Sequence, residues 1–95
     1  MKAKFTGGIS GVKIKIMPTS PSVDLTQIEQ KTKNLIADLG GRNRIYEIEP
    51  IAFGLKAVIA FFEWPEEKDL DPLEKKLSSI KDVSSIQVID MRKIA

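Results

Sequence analysis

An α+β sandwich ordered strand, helix, strand, strand, helix, strand is predicted by three observations. Four apolar runs have strand character, two helix-period segments open on capping signals, and the middle two strands are joined by a short turn with no helix between them. The first strand is read from Val12, where Val12, Ile14 and Ile16 fall on one face and Lys13 and Lys15 on the other until Pro18 and Pro21 stop the run. The residues ahead of it hold Gly7 and Gly8 and show no period, so 1–8 reads as a basic N-terminal arm and 9–95 as one domain.

Asp24 followed by Gln27 makes a capping box, in which each side chain can satisfy a backbone donor at a helix start. Leu25, Ile28, Leu35, Ile36 and Leu39 then recur at helical spacing, and Gly40 and Gly41 offer a left-handed exit. Ile45, Tyr46 and Ile48 among charged residues give a second strand over 44–51 with one wet face. The run 55–64 is nearly all apolar, as in a strand covered on both faces. Asp71, Pro72 and Glu74 supply an N-cap, a proline at the first helical position and a capping acid, and Leu73, Leu77 and Ile80 form the buried stripe of a short helix. Alternation returns through Ile86 and Val88 in a last strand over 83–91. Two strand-helix-strand units joined by a hairpin are the ferredoxin-like split βαβ pattern: a four-stranded antiparallel sheet with two helices on one face and the other face free.

Ninety-five residues suffice for one modest core. With no cysteine and no histidine, disulfides, thiolate zinc sites, cysteine nucleophiles and histidine bases are excluded. No run approaches a membrane span and the N-terminus lacks a secretory signal, so a cytoplasmic protein with no membrane partner is expected. The net charge of +2 is too small to argue for nucleic acid, although both ends are locally basic.

Enzyme chemistry finds little support. Glu47 and Glu49 share a strand face but have no nucleophile or metal-ligand partner in the sequence, which favours a solvated face. The acids Glu66, Glu67, Asp69 and Asp71 lack the glycine and terminal bidentate acid of a calcium loop, and read as a loop and a helix cap. Gly7, Gly8 and Gly11 precede a strand and not a helix N-terminus, so no nucleotide pocket is expected, and no metal or cofactor. Phe61, Phe62 and Trp64 could stack bases on a free sheet face, but they lie in an apolar run whose plainer role is core, with Trp64 at the strand end the more open case.

The turn Glu49-Pro50-Ile51-Ala52-Phe53-Gly54-Leu55-Lys56 carries the most information. A connecting turn runs over the surface, so Phe53 is either tucked under a strand or displayed for a partner, and Gly54 lets the chain turn sharply while holding it.

Together with Ile16-Met17-Pro18, Ser20-Pro21, Val23-Asp24-Leu25, Val83-Ser84-Ser85-Ile86 and Asp90-Met91-Arg92-Lys93, that turn makes the chain resemble archaeal translation elongation factor 1-beta, the guanine-nucleotide exchange domain, from about Val12 to Ile94. The basic arm and the final Ala95 depart from the family pattern. The resemblance implies a ferredoxin-like fold and a partner, the GTPase elongation factor 1-alpha, from which the factor promotes GDP release without covalent chemistry. It further implies that Lys93 displaces magnesium in that GTPase. By the same resemblance Phe53 is an apolar anchor flanked by Ile51, Ala52 and Gly54, and Met91 and Arg92 contact the partner beside Lys93. The plainer alternatives are a strand-end core Phe53 and a solvated tail Lys93. An RNA-binding module on the free sheet face is the alternative function, and a dimeric small-molecule regulatory domain a third.

Overall fold

The computed structural model describes residues 8–94, so residues 1–7 of the expected arm 1–8, and Ala95, lie outside the described residues. The elements are β1 (Ile9–Pro18), α1 (Leu25–Asp38), β2 (Arg42–Pro50), a 3-10 turn (Ala52–Gly54), β3 (Lys56–Pro65), α2 (Asp71–Ser78) and β4 (Val83–Lys93). All three strand pairings are antiparallel and the sheet order is β2-β3-β1-β4, the ferredoxin-like α+β arrangement expected.

The core forms where β1 and β3 send alternate residues toward the helices. Val12, Ile14 and Ile16 meet Val58, Ala60, Phe62 and Trp64, and Ile28, Ile36, Leu73 and Leu77 close over them. Phe62 and Trp64 pack edge to face, with ring centroids 6.0 Å apart, and the Trp64 indole N–H donates to the Lys68 carbonyl at 3.1 Å. Both are therefore core and unavailable for base stacking. Gly41 is needed for this packing: a Cβ there would lie 2.8 Å from both Ile36 and Trp64. Gly40, at φ +99, alone supplies the left-handed exit from α1 that was expected of the pair.

Several local expectations shift. β1 begins at Ile9, which buries Ser10. The Asp24 carboxylate caps α1 by accepting from Thr26 N–H at 3.0 Å, one residue before the capping-box donor. Thr32, which no hydrophobic period marks, is fully buried because its hydroxyl donates to the Ile28 carbonyl at 2.8 Å. Asp71 is not the cap of α2 but its first residue, and Asp69 accepts from its N–H. On β2, Tyr46 is half-buried and its hydroxyl donates to Asn43 Oδ1 at 2.6 Å, whereas Ile45, paired with Phe61, lies exposed on the opposite face, and Ile48 is exposed toward the end of this edge strand. Burial pushes the Tyr46 phenol well above its ordinary value, and the Glu29 carboxylate adds to the shift.

The register of β4 decides which way its last residues face. Ile14 pairs with Val88 and Lys13 with Asp90, so Ile89 is an extra, bulged residue. The bulge changes which residues of β4 face the helices. Before it these are Ile86 and Val88, opposite Ile16 and Ile14; after it they are Met91 and Lys93, opposite Val12 and Ser10.

Candidate functional site

At one end of the sheet the β2–β3 connection places Phe53 almost wholly in solvent, 95% exposed. Its backbone is left-handed, φ 62 and ψ 32, a conformation that costs a residue with a Cβ about 1–2 kcal/mol. Neither the exposure nor the strain helps the fold, which rules out the strand-end core role for Phe53. The turn is closed by Ile51 N–H donating to the Leu55 carbonyl at 2.7 Å and by Leu55 N–H donating to Ala52 at 3.3 Å. Gly54 follows at φ 76, the positive value its position in the turn called for. Ile51 is half-buried under this loop, while Ala52 and Gly54 are exposed beside the ring.

At the other end lies Lys93. It was expected just after a strand ending at Met91, but β4 runs on and Lys93 is its last residue, opposite Ser10. The ladder therefore fixes the backbone from which the amine projects. Lys93 Nζ is 3.8 Å from Glu66 Oε1, so it is not a bare tail charge. Met91, 48% exposed, projects on the same side two residues earlier. Arg92 points to the opposite, open face, where it pairs with Asp90 at 3.1 Å. Met91 and Lys93 thus share one face of β4, and Arg92 lies on the other.

Phe53 and Lys93 are not brought together. The ten residues of β3 separate them, about 30 Å at the usual rise of a strand. The open face between them carries a concavity of about 340 Å3 over Phe61, Ile45 and Ile94. Lys13 Nζ stands 4.9 Å from the Phe61 ring centre, and Arg44 pairs with Glu63 at the rim. Of the three aromatics considered for base stacking, Phe61 is the one on this face. Glu47 and Glu49 are exposed on the same sheet face, with Lys15 3.8 Å from Glu49, as a solvated face requires. Among the described residues no group of three or more acids is placed to hold a metal ion, and no helix is long and apolar enough to cross a membrane.

Sequence reasoning missed Glu66 and Ile89. Glu66 could be found only through a contact distant in the chain. The adjacent apolar pair Val88-Ile89 does break the alternation and was a usable signal for the bulge.

Comparison with known proteins gives the family. The model of the EF-1 guanine nucleotide exchange domain matches residues 11–94. The chain is 41% identical over 91 residues to the elongation factor 1-beta of Methanosarcina barkeri, covering 92% of this chain and 99% of that one. It is 36% identical over 85 residues to that of Methanococcus aeolicus, with 88% and 96% covered, and 36% identical over 83 residues to that of Sulfolobus acidocaldarius, with 85% and 91% covered. Two solved structures share the fold alone. They are the C-terminal domain of the MgtC protein from Mycobacterium tuberculosis (TM-score 0.69, 11% identity, 97% of this chain and 94% of that one) and the ACT domain of GTP pyrophosphokinase from Chlorobium tepidum (TM-score 0.59, 13% identity, 83% and 96%). Family match and relatives agree over most of the chain, so the chain belongs to the EF-1 guanine nucleotide exchange domain family, whose role is nucleotide exchange in translation elongation.

Proposed function

We propose that the chain promotes release of GDP from the GTPase elongation factor 1-alpha by binding it at two separated points. Phe53 anchors one end, and the Lys93 amine approaches the magnesium site of the GTPase from the other. The exposed, strained Phe53 carries the reading, because a fold keeps such a residue only where something outside the fold uses it. Ile51, Ala52 and Gly54 shape the anchor, Met91 adds apolar contact beside Lys93, and Arg92 contacts the partner from the open-face side.

The energetics are of the right size. An exchange factor binds the nucleotide-free GTPase more tightly than the loaded one, and by linkage weakens GDP by the same factor. No covalent bond changes in this step. A ~1000-fold faster release requires about 4 kcal/mol. Burying one phenylalanine contributes roughly 2–3 kcal/mol of affinity, which holds the factor on the GTPase. The lowered barrier comes from the metal: in such GTPases magnesium bridges nucleotide phosphates to a P-loop hydroxyl and an acid, and an ammonium entering that site opposes it.

The direct test loads the cognate elongation factor 1-alpha with fluorescent GDP and follows release in excess unlabelled GDP as this protein is added. Release should accelerate and saturate. A rate independent of added protein would refute the proposal, and steeply salt-dependent RNA binding in its place would favour the RNA-binding alternative.

A further inference from the structure

Glu66 sits where three segments meet. Its backbone N–H donates to the Gly8 carbonyl at 2.9 Å, and Gly8 N–H returns a bond to Glu66 Oε1 at 3.1 Å. The same Oε1 lies 3.8 Å from Lys93 Nζ. The carboxylate is thus mounted on the entry to β1, while Lys93 is 65% exposed on a flexible four-carbon stem. In this pair the acid is the fixed half and the lysine the mobile half. Among the described residues of the acidic run 66–71, Glu66 is the one with an ion pair; Asp69 is occupied by the N–H of Asp71.

From this geometry, and resting on the assignment of Lys93 to the magnesium site of the partner, we propose that Glu66 is the resting counter-ion of Lys93. It is a positioning residue whose charge holds the amine at the end of the sheet and slows its transfer to the GTPase. The amine must leave its counter-ion before it can enter the metal site. Orientation of the lysine by the acid would act the other way. That term is small here, because a separation of 3.8 Å is beyond hydrogen-bond range and leaves the amine free to turn.

Glu66→Gln separates charge from structure, since the amide oxygen can still accept from Gly8 N–H. The experiment measures maximal GDP release from cognate elongation factor 1-alpha with wild type, Glu66→Gln, Lys93→Ala and the double variant, at low and high salt. Glu66→Gln should raise the maximal rate about two- to fivefold, the range set by an exposed ion pair. The gain should shrink as salt screens the wild-type pair and vanish when Lys93 is absent. A Glu66→Gln rate equal to or below wild type overturns the proposal, as does the same gain in the Lys93→Ala background. NMR of the Lys93 side chain in the free protein gives a readout independent of exchange: its signals should move on Glu66→Gln, and identical spectra also overturn the proposal. If Lys93→Ala alone exchanges like wild type, the magnesium reading fails and takes this proposal with it. That failure shows in a different variant from the one that would remove Glu66 alone.

Discussion

At the scale of single residues, Phe53 joins two costs that have no return within the monomer. Its ring is solvated, and its backbone occupies the left-handed region at φ 62. Truncation to alanine removes no core contact, so Phe53→Ala should leave the melting temperature within a few degrees of wild type. Affinity for the GTPase should fall by about 1–3 kcal/mol, as for a buried interface aromatic. Calorimetric melting beside a binding titration checks both halves. A large drop in melting temperature with unchanged affinity would mean that the ring belongs to the fold after all.

Lys93 makes the complementary prediction. Its ammonium is a compact charge at a strand end, able to enter a space sized for a metal ion that a planar guanidinium fits poorly. Lys93→Ala should therefore slow catalysed GDP release at saturating factor with little effect on binding, and Lys93→Arg should restore only part of the rate. Raising magnesium should inhibit wild type, because metal and amine oppose each other, and should matter less for the alanine variant. Stopped-flow release across a magnesium series decides: wild-type maximal rates for Lys93→Ala at every magnesium level would exclude metal displacement.

At the scale of elements, the Ile89 bulge determines which face of the sheet Lys93 joins. With Ile89 outside the ladder, Lys13 pairs with Asp90 and Ser10 with Lys93, on the helix side. If Ile89 were paired in the ladder instead, every residue after it would slip by one and Lys93 would turn to the open face. Deleting Ile89 removes the unpaired residue and preserves all these pairings, so exchange should survive with a modest change in stability. Inserting one serine between Asp90 and Met91 keeps the bulge but reverses the side-chain phase beyond it, and maximal exchange should fall to the level of Lys93→Ala. Release assays on the two variants check this, with circular dichroism to confirm that both fold. Equal activity in both would mean that the facing of Lys93 is immaterial.

The bulge also shows what kind of information the sequence carried. The alternation of Val12, Ile14 and Ile16, the stripe of Leu73, Leu77 and Ile80, and the Phe53-Gly54 turn were readable because each is set by neighbours in the chain. The choice between Phe61 and Phe62 was not, since a run covered on both faces shows no period. Ile89 and Arg44, where β2 and β4 fall out of step with their partners, depend on pairing between distant strands. The Glu66 contacts with Gly8 and Lys93 bridge the entry to β1 and the end of β4, and no local pattern announces them. Of the candidate site, the display of Phe53 on its turn was legible in the sequence, and the facing of Lys93 and its contact with Glu66 were not.

At the scale of the whole molecule, β3 acts as a spacer. It is central in the sheet and largely buried, and it holds the Phe53 turn and the Lys93 end about 30 Å apart. A single pocket on a GTPase cannot take both groups, so in the proposed complex they meet different parts of it and do different work. Phe53 contributes to the affinity of every state, and Lys93 acts on the state losing magnesium. Their effects should then separate in kinetics, Phe53→Ala raising the concentration of factor for half-maximal exchange and Lys93→Ala lowering the plateau. Because the two sites share no partner and lie far beyond the ~10 Å within which substitutions usually couple, the double variant should show the sum of the two free-energy losses to within about 0.5 kcal/mol. Titrating all four proteins against the loaded GTPase measures this. A double variant no worse than Lys93→Ala alone would mean that the anchor matters only while the lysine engages. The two ends would then form one coupled site transmitted through the sheet, and the rigid-spacer account would be wrong.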